Sequence, residues 1–206
     1  AIAIAHAIQQ ICDFPAYAWE AFEFLAYPPA GIHASAVVGI SHTGSTPPVV
    51  RAVEMAHGRG AYTLGYTDGI PSALTRACDA VVPSSMGMEA ALPKTRSYTS
   101  TLMRGYLQAV QLAKLDGKDV SQEITALDKA PSLVQQLLPE LSSPVRDLAQ
   151  RWSGCRRVIV SGGGPQYATA LEGMLKLTEA AMINAIPWEI EEAVHGTWAN
   201  TIENDL

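Results

Sequence analysis

Ala34-Ser-Ala-Val-Val-Gly-Ile40, followed by Ser41-His-Thr-Gly-Ser-Thr46 and Pro47-Pro-Val-Val50, is the stretch that decides the fold. The first seven residues are short, rich in β-branched side chains and largely apolar on both faces, as in a strand buried within a parallel sheet. Thr46 suits an N-cap, and Pro47 and Pro48 occupy the first helical positions, where a missing N–H is tolerated. The periodic run Val49–His57 continues that helix until Gly58 and Gly60 end it. The unit is therefore strand, hydroxyl-rich loop, helix.

Further along the chain, a strand at Tyr62–Tyr66, a helix at Ser72–Cys78 and a strand at Ala80–Val82 follow, the alternation of right-handed β-α-β units. Thr95–Leu115 is long and amphipathic. Toward the N-terminus, Ala1–Ile11 is alanine-rich with no N-cap before it and reads as a helix whose beginning has been cut away. Pro15–Trp19 is extended, and Glu20–Tyr27 forms a helical turn or two closed by Pro28 and Pro29. Beyond Leu115, polar Asp116–Ser132 is expected to be a spacer, and Leu133–Trp152 a helix interrupted or kinked near Pro139 and Pro144. Val158–Val160 then runs into Ser161-Gly-Gly-Gly164 and a largely buried helix from Tyr167 to about Asn184, repeating the first unit. The expectation is an α/β protein of two related lobes, the second ending after one strand, one helix and a short extension.

Composition bounds the function. Of 206 residues, 48% are hydrophobic and 17% charged, enough for a buried core and unlike a disordered chain. A net charge of -6 with no clustered Lys or Arg argues against nucleic acid. No apolar run approaches the roughly 20 residues of a membrane span, and the first residues lack the basic start and small-residue cleavage site of a signal peptide, so a cytoplasmic location is expected. Cys12, Cys78 and Cys155 are odd in number and far apart, which suits reduced core thiols.

Three constellations carry chemistry. In the first, Ser41, Thr43, Ser45 and Thr46 supply hydroxyl donors at a helix start, with Gly44 allowing close backbone approach. Without Lys or Arg, and without the Walker spacing, the loop suits a small phosphate ester better than a polyphosphate. Hydroxyls that merely cap a helix are the competing reading. In the second, Glu172, Lys176 and Glu179 share one helical face, suited either to proton transfer or to a solvated salt-bridged surface. The third is Glu191-Glu-Ala-Val-His-Gly196, whose His195 is an acid–base candidate at neutral pH or a structural histidine. No Cys, His or carboxylate spacing calls for a metal, and no cofactor is expected.

Together Val37-Val-Gly-Ile-Ser-His-Thr-Gly-Ser-Thr46, Lys94-Thr-Arg-Ser-Tyr-Thr99, Gly164-Pro-Gln-Tyr-Ala-Thr-Ala-Leu-Glu-Gly-Met-Leu-Lys-Leu-Thr-Glu179 and Glu192-Ala-Val-His-Gly196 resemble the sugar isomerase (SIS) fold. The resemblance is narrowest to the isomerase half of glucosamine-6-phosphate synthases and to fructosamine-6-phosphate deglycases. It implies two flavodoxin-like SIS lobes, with residues 1–116 in the first, 117–153 as linking helices and 154–206 opening the second. It further implies that Ser41, His42 (through its backbone), Thr43, Ser45 and Thr46 hold the phosphate of a hexose 6-phosphate. Glu179 is implied as the carboxylate moving a proton between C1 and C2, and His195 as the ring-opening histidine lent by the neighbouring subunit of a homodimer. Lys176 supports Glu179, Lys94 and Thr95 lie near the sugar, and Glu192 stands behind them.

The same resemblance marks departures. A strand and Gly/Ser loop that open the family's first lobe, its C-terminal lysine and the synthases' glutaminase half are expected to lie outside this sequence. Lys94 stands where the synthases keep a small hydroxyl residue, pointing to a different substrate or a further anion.

Overall fold

A computed structural model describes residues 1–203 and 205–206. The chain divides into two compact units, one made of Ala1 and Tyr17–Gly105, the other of Ile2–Ala16 and Tyr106–Leu206.

The first unit contains α2 (Ala21–Ala26), β1 (Ala36–Ile40), α3 (Pro47–Gly58), β2 (Tyr62–Tyr66), α4 (Ala73–Ala77), β3 (Ala80–Val82) and the start of α5 (Arg96–Leu115). Its sheet is parallel throughout in the order β1-β2-β3, with Gly39 opposite Gly65 and Leu64 opposite Ala80. Apolar side chains fill two clusters. Phe24, Ile32, Ala52, Ala56 and Ala61 pack in one, Val50, Val53 and Leu74 in the other. Gly39 makes the second possible, because a Cβ there would stand 2.5 Å from Val53 and 3.1 Å from Leu74. Ser72 caps α4 in a reciprocal box with Thr75, each side chain bonding the other's backbone N–H.

The second unit begins with α1 (Ile2–Ala7), prolonged by a π-turn at Ile8–Cys12. It continues with the rest of α5, α6 (Ser121–Arg151), β4 (Val158–Gly162), α7 (Pro165–Lys176), a π-turn at Leu177–Ala181, β5 (Ala185–Glu189) and α8 (Ile190–Val194). β4 and β5 pair in parallel, Val158 opposite Ala185 and Gly162 opposite Glu189. A small core joins Ala7 and Cys12 to Ala109, Val110, Ala113 and Val120. The buried Cys12 thiol donates to Ala109 O at 3.0 Å, and burial pushes its pKa up; all three cysteines are free.

The parallel sheets flanked by helices match the α/β expectation, but three local readings need correction. The expected spacer is helical from Ser121, and Pro131, Pro139 and Pro144 lie inside one continuous 31-residue helix. Polar side chains such as Ser121, Gln122 and Lys129 tolerate a solvated helix as readily as a loop, which is why composition misled. The extension after α7 holds a second strand, disguised by Pro187, which is admissible because β5 is paired on one side only. Finally, α7 buries only Ala170, and Met182 just beyond it is 90% exposed. A two-stranded sheet offers too little surface to cover such a helix. Among the described residues, no helix is long and apolar enough to cross a membrane.

Candidate functional site

The loop between β1 and α3 is built from below by β2. Ser41 N–H donates to Tyr66 O at 3.0 Å, and His42 O accepts from Asp68 N–H (3.0 Å), Gly69 N–H (3.2 Å) and the Thr67 hydroxyl (3.2 Å). This anchoring sets the peptide planes before the helix begins. The hydroxyls converge in pairs, Ser41 with Thr46 at 2.8 Å and Thr43 with Ser45 at 2.7 Å. Ser41 is buried, whereas Thr43, Ser45 and Thr46 face solvent. Thr46 makes no side-chain capping bond to α3, so its hydroxyl is engaged by Ser41 rather than by the helix. A cluster of hydroxyls released from capping at a helix start can receive an anionic oxygen.

Gly44 closes the loop in the left-handed region at φ 65°, and a Cβ there would stand 2.1 Å from Ser72 Oγ and 2.7 Å from Thr67 Oγ1. Gly44→Val is expected to destabilise the first unit by at least about 1–3 kcal/mol from backbone strain alone. Urea unfolding followed by circular dichroism measures it, and a wild-type midpoint would show that the loop is not built this way.

The His42 imidazole turns away from the hydroxyls. Its Nδ1 lies 3.1 Å from Asp68 Oδ2, and Nε2 accepts the Glu89 N–H at 3.0 Å. Asp68 also accepts Ser84 N–H at 3.0 Å and lies 3.5 Å from Arg104. Burial pushes the Asp68 carboxyl upward, but the Ser84 bonds, the Arg104 charge and His42 outweigh it and leave the pKa lowered. Arg104 donates to Val82 O at 2.9 Å and lies over the Tyr66 ring at 5.4 Å. Burial raises the Tyr66 phenol to about 12 despite that cation.

Lys94 and Thr95 are held by Glu89. The Lys94 ammonium donates to the carbonyls of Glu89 and, at 2.6 Å, of Ala91. The Glu89 carboxylate accepts N–H groups of Ser97 (2.8 Å), Thr95 (3.2 Å) and Arg96 (3.2 Å), so it caps α5. Those bonds, Ser97's foremost, pull its pKa from an ordinary 4.5 to about 2. A depressed carboxylate contributes stability above its unfolded value and loses it as pH falls through the folded one. The cap should therefore be intact at neutrality and fail between about 4.5 and 2. Glu89→Gln is expected to remove that acid step from a pH-dependent melting curve; an unchanged step in the variant assigns it to another group.

In the second unit Lys176 lies 2.7 Å from Glu179 and 3.4 Å from Glu172, the three side chains 21–26% exposed. Burial draws the Lys176 ammonium down, but Glu179 and Glu172 outweigh it and raise its pKa. The stripe is thus ion-paired and half-buried, with Glu179 carried on the π-turn that follows α7. His195 follows α8, exposed, its Nδ1 2.9 Å from Glu191 O. Glu192 is exposed, and its carbonyl accepts the Thr197 hydroxyl at 2.8 Å. Among the described residues, no cluster of His, Cys, Asp or Glu could hold a metal ion.

Sequence reasoning missed Asp68, Glu89 and Arg104. Arg104 alone left a trace, a cation in the middle of the amphipathic run that forms α5, away from Arg96 and Lys114 at its ends.

Known proteins give the same picture. The SIS domain family model matches residues 3–111. A glutamine–fructose-6-phosphate aminotransferase of Gloeobacter violaceus is 30% identical over 193 residues, covering 92% of this chain and 32% of that protein. Its counterpart from Mycolicibacterium paratuberculosis is 32% identical over 205 residues, covering 98% and 32%. The chain thus spans about a third of the length of these relatives. Among solved structures, the C-terminal domain of glucosamine-fructose-6-phosphate aminotransferase from Francisella tularensis superposes with a TM-score of 0.90 at 21% identity, covering 99% of this chain and 59% of that one. A glucosamine-6-phosphate deaminase from Thermotoga maritima gives 0.83 at 19%, covering 99% and 61%. With the family model spanning more than half its length and its parallel sheets sharing their architecture with these structures, the chain belongs to the SIS domain family.

Proposed function

We propose that this chain is the sugar-handling part of a phosphosugar isomerase acting on a hexose 6-phosphate, with amino transfer or release at the neighbouring carbons. The observation that carries the reading is the paired-hydroxyl loop Ser41–Thr46, freed from capping α3, in a chain of the SIS family. The curated relatives named above, glutamine–fructose-6-phosphate aminotransferases, support the substrate class.

Ser41, Thr43, Ser45 and Thr46, with the His42 backbone, receive the phosphate, while Lys94 and Thr95 border the sugar. His195, supplied across a homodimer, helps open the ring. Glu179 takes a proton from one of C1 and C2 and returns it to the other through an enamine or enol, so the substrate is isomerised with no net loss of atoms. Lys176, 2.7 Å from Glu179, fixes that carboxylate's position and balances its charge; Glu192 stands behind His195. Residues 1–116, 117–153 and 154–206 serve as first SIS lobe, linker and start of the second. A standalone fructosamine-6-phosphate deglycase or glucosamine-6-phosphate deaminase is the second reading, favoured by the Thermotoga maritima likeness.

The test is incubation of the full-length protein with fructose 6-phosphate plus an amine donor, glucosamine 6-phosphate and fructosamine 6-phosphate, following sugar interconversion and ammonia or amine release. Synthase-type activity consumes the first pair, deaminase or deglycase activity releases nitrogen from the others, and failure of all three ends the catalytic reading. Binding of a hexose 6-phosphate without turnover of any would favour a non-enzymatic sensing module.

A further inference from the structure

We propose that His42 is a positioning residue whose neutral imidazole, rather than binding phosphate, latches the segment 84–95 to the anion loop and so decides where Lys94 and Thr95 stand. The inference rests on the sugar-phosphate reading only for what the latch is for; the latch itself stands on geometry.

A backbone N–H can only donate, so the 3.0 Å contact from Glu89 N–H requires Nε2 to be an unprotonated acceptor. The single ring proton must then sit on Nδ1 and be donated to Asp68 Oδ2, 3.1 Å away. The surroundings hold this tautomer from both sides. Asp68 is 2% exposed and itself tied to Ser84 N–H and Arg104, so it cannot swing away, and the His42 carbonyl is fixed by three donors from residues 67–69. The His42 side chain is 14% exposed, largely withdrawn from solvent.

On the far side, the latched residue is the one that organises its neighbours. Glu89 receives the Lys94 ammonium on its carbonyl and grips the N–H groups of Thr95, Arg96 and Ser97 with its carboxylate. One imidazole thus links the loop Ser41–Thr46 to both residues proposed to border the sugar. Asp68, just past β2, and the Glu89 N–H are the groups bonded to the ring, with Arg104 from α5 paired to Asp68 behind it, and a second ring proton would set N–H against N–H at Glu89.

Three variants separate this role from mere packing. His42→Gln keeps one donor and one acceptor at about the spacing of the two ring nitrogens. His42→Asn can still reach Asp68 but is too short for Glu89, and His42→Ala loses both. Hydrogen exchange on the full chain, without ligand and at neutral pH, is expected to quicken in 84–95 by about ten-fold in His42→Asn and His42→Ala and to stay near wild type in His42→Gln. Titration with glucosamine 6-phosphate is expected to show weaker binding in the same two variants and rescue by His42→Gln. Wild-type exchange in a folded His42→Asn overturns the latch, as does weakened binding that His42→Gln fails to restore. Loosened exchange with unchanged binding overturns the positioning role. If wild-type protein binds no hexose 6-phosphate, the sugar-phosphate reading fails while the exchange experiment still decides the latch.

Discussion

Glu179→Gln is expected to lower turnover of a hexose 6-phosphate by about 10²–10⁴-fold, the usual contribution of a positioned acid–base group, while leaving binding within a few-fold. Glutamine preserves the shape and can still accept the Lys176 ammonium now 2.7 Å from the carboxylate, but it cannot carry a proton between adjacent carbons. The loss should therefore fall on kcat and spare KM. Lys176→Met should produce a smaller kcat loss, because it frees Glu179 without removing it. The discriminating measurement is steady-state kinetics beside direct binding of glucosamine 6-phosphate. Equal turnover in wild type and variant would remove Glu179 from the mechanism, and a protein that only senses its ligand would show no effect at all.

Arg104→Leu carries the largest expected cost in stability, about 3–5 kcal/mol, because it strands a buried carboxylate. Arg104 is 7% and Asp68 2% exposed, and their 3.5 Å contact is the cationic partner that helps keep Asp68 ionised. Removing the guanidinium also frees Val82 O and the face of Tyr66. Denaturant unfolding measures the loss, and Asp68→Asn combined with Arg104→Leu should recover part of it by deleting the stranded charge. The penalty should also shrink in acid, where Asp68 becomes neutral in the variant before it does in wild type. A cost below about 1 kcal/mol would mean that water, not Arg104, compensates Asp68.

Both effects act through groups of different legibility. The Ser41–Thr46 hydroxyls could be read directly because strand, loop and helix are contiguous, so spacing along the chain equals spacing in space. Glu172, Lys176 and Glu179 were legible for the same reason, since the helical repeat places positions three, four and seven apart on one face. His42 was read as a phosphate-loop residue, yet its ring points to Asp68, 26 residues away, and to Glu89, 47 away. No local pattern encodes that direction. β5 stayed hidden because Pro187 contradicts strand propensity unless the strand is known to be an edge, which is a property of the assembled sheet.

What the amino-acid order determined by itself is the run of strand, hydroxyl loop and helix, the parallel β-α-β succession and the charged stripe beside α7, all products of short-range sterics, capping and periodicity. Only tertiary structure decided that the withdrawn side chains of Asp68, Arg104 and His42 form one polar chain that ends on the Glu89 N–H, because desolvated charges take their partners from whatever the packed sheet brings near. Sequence separation carries no information about that distance until β1, β2 and β3 lie side by side.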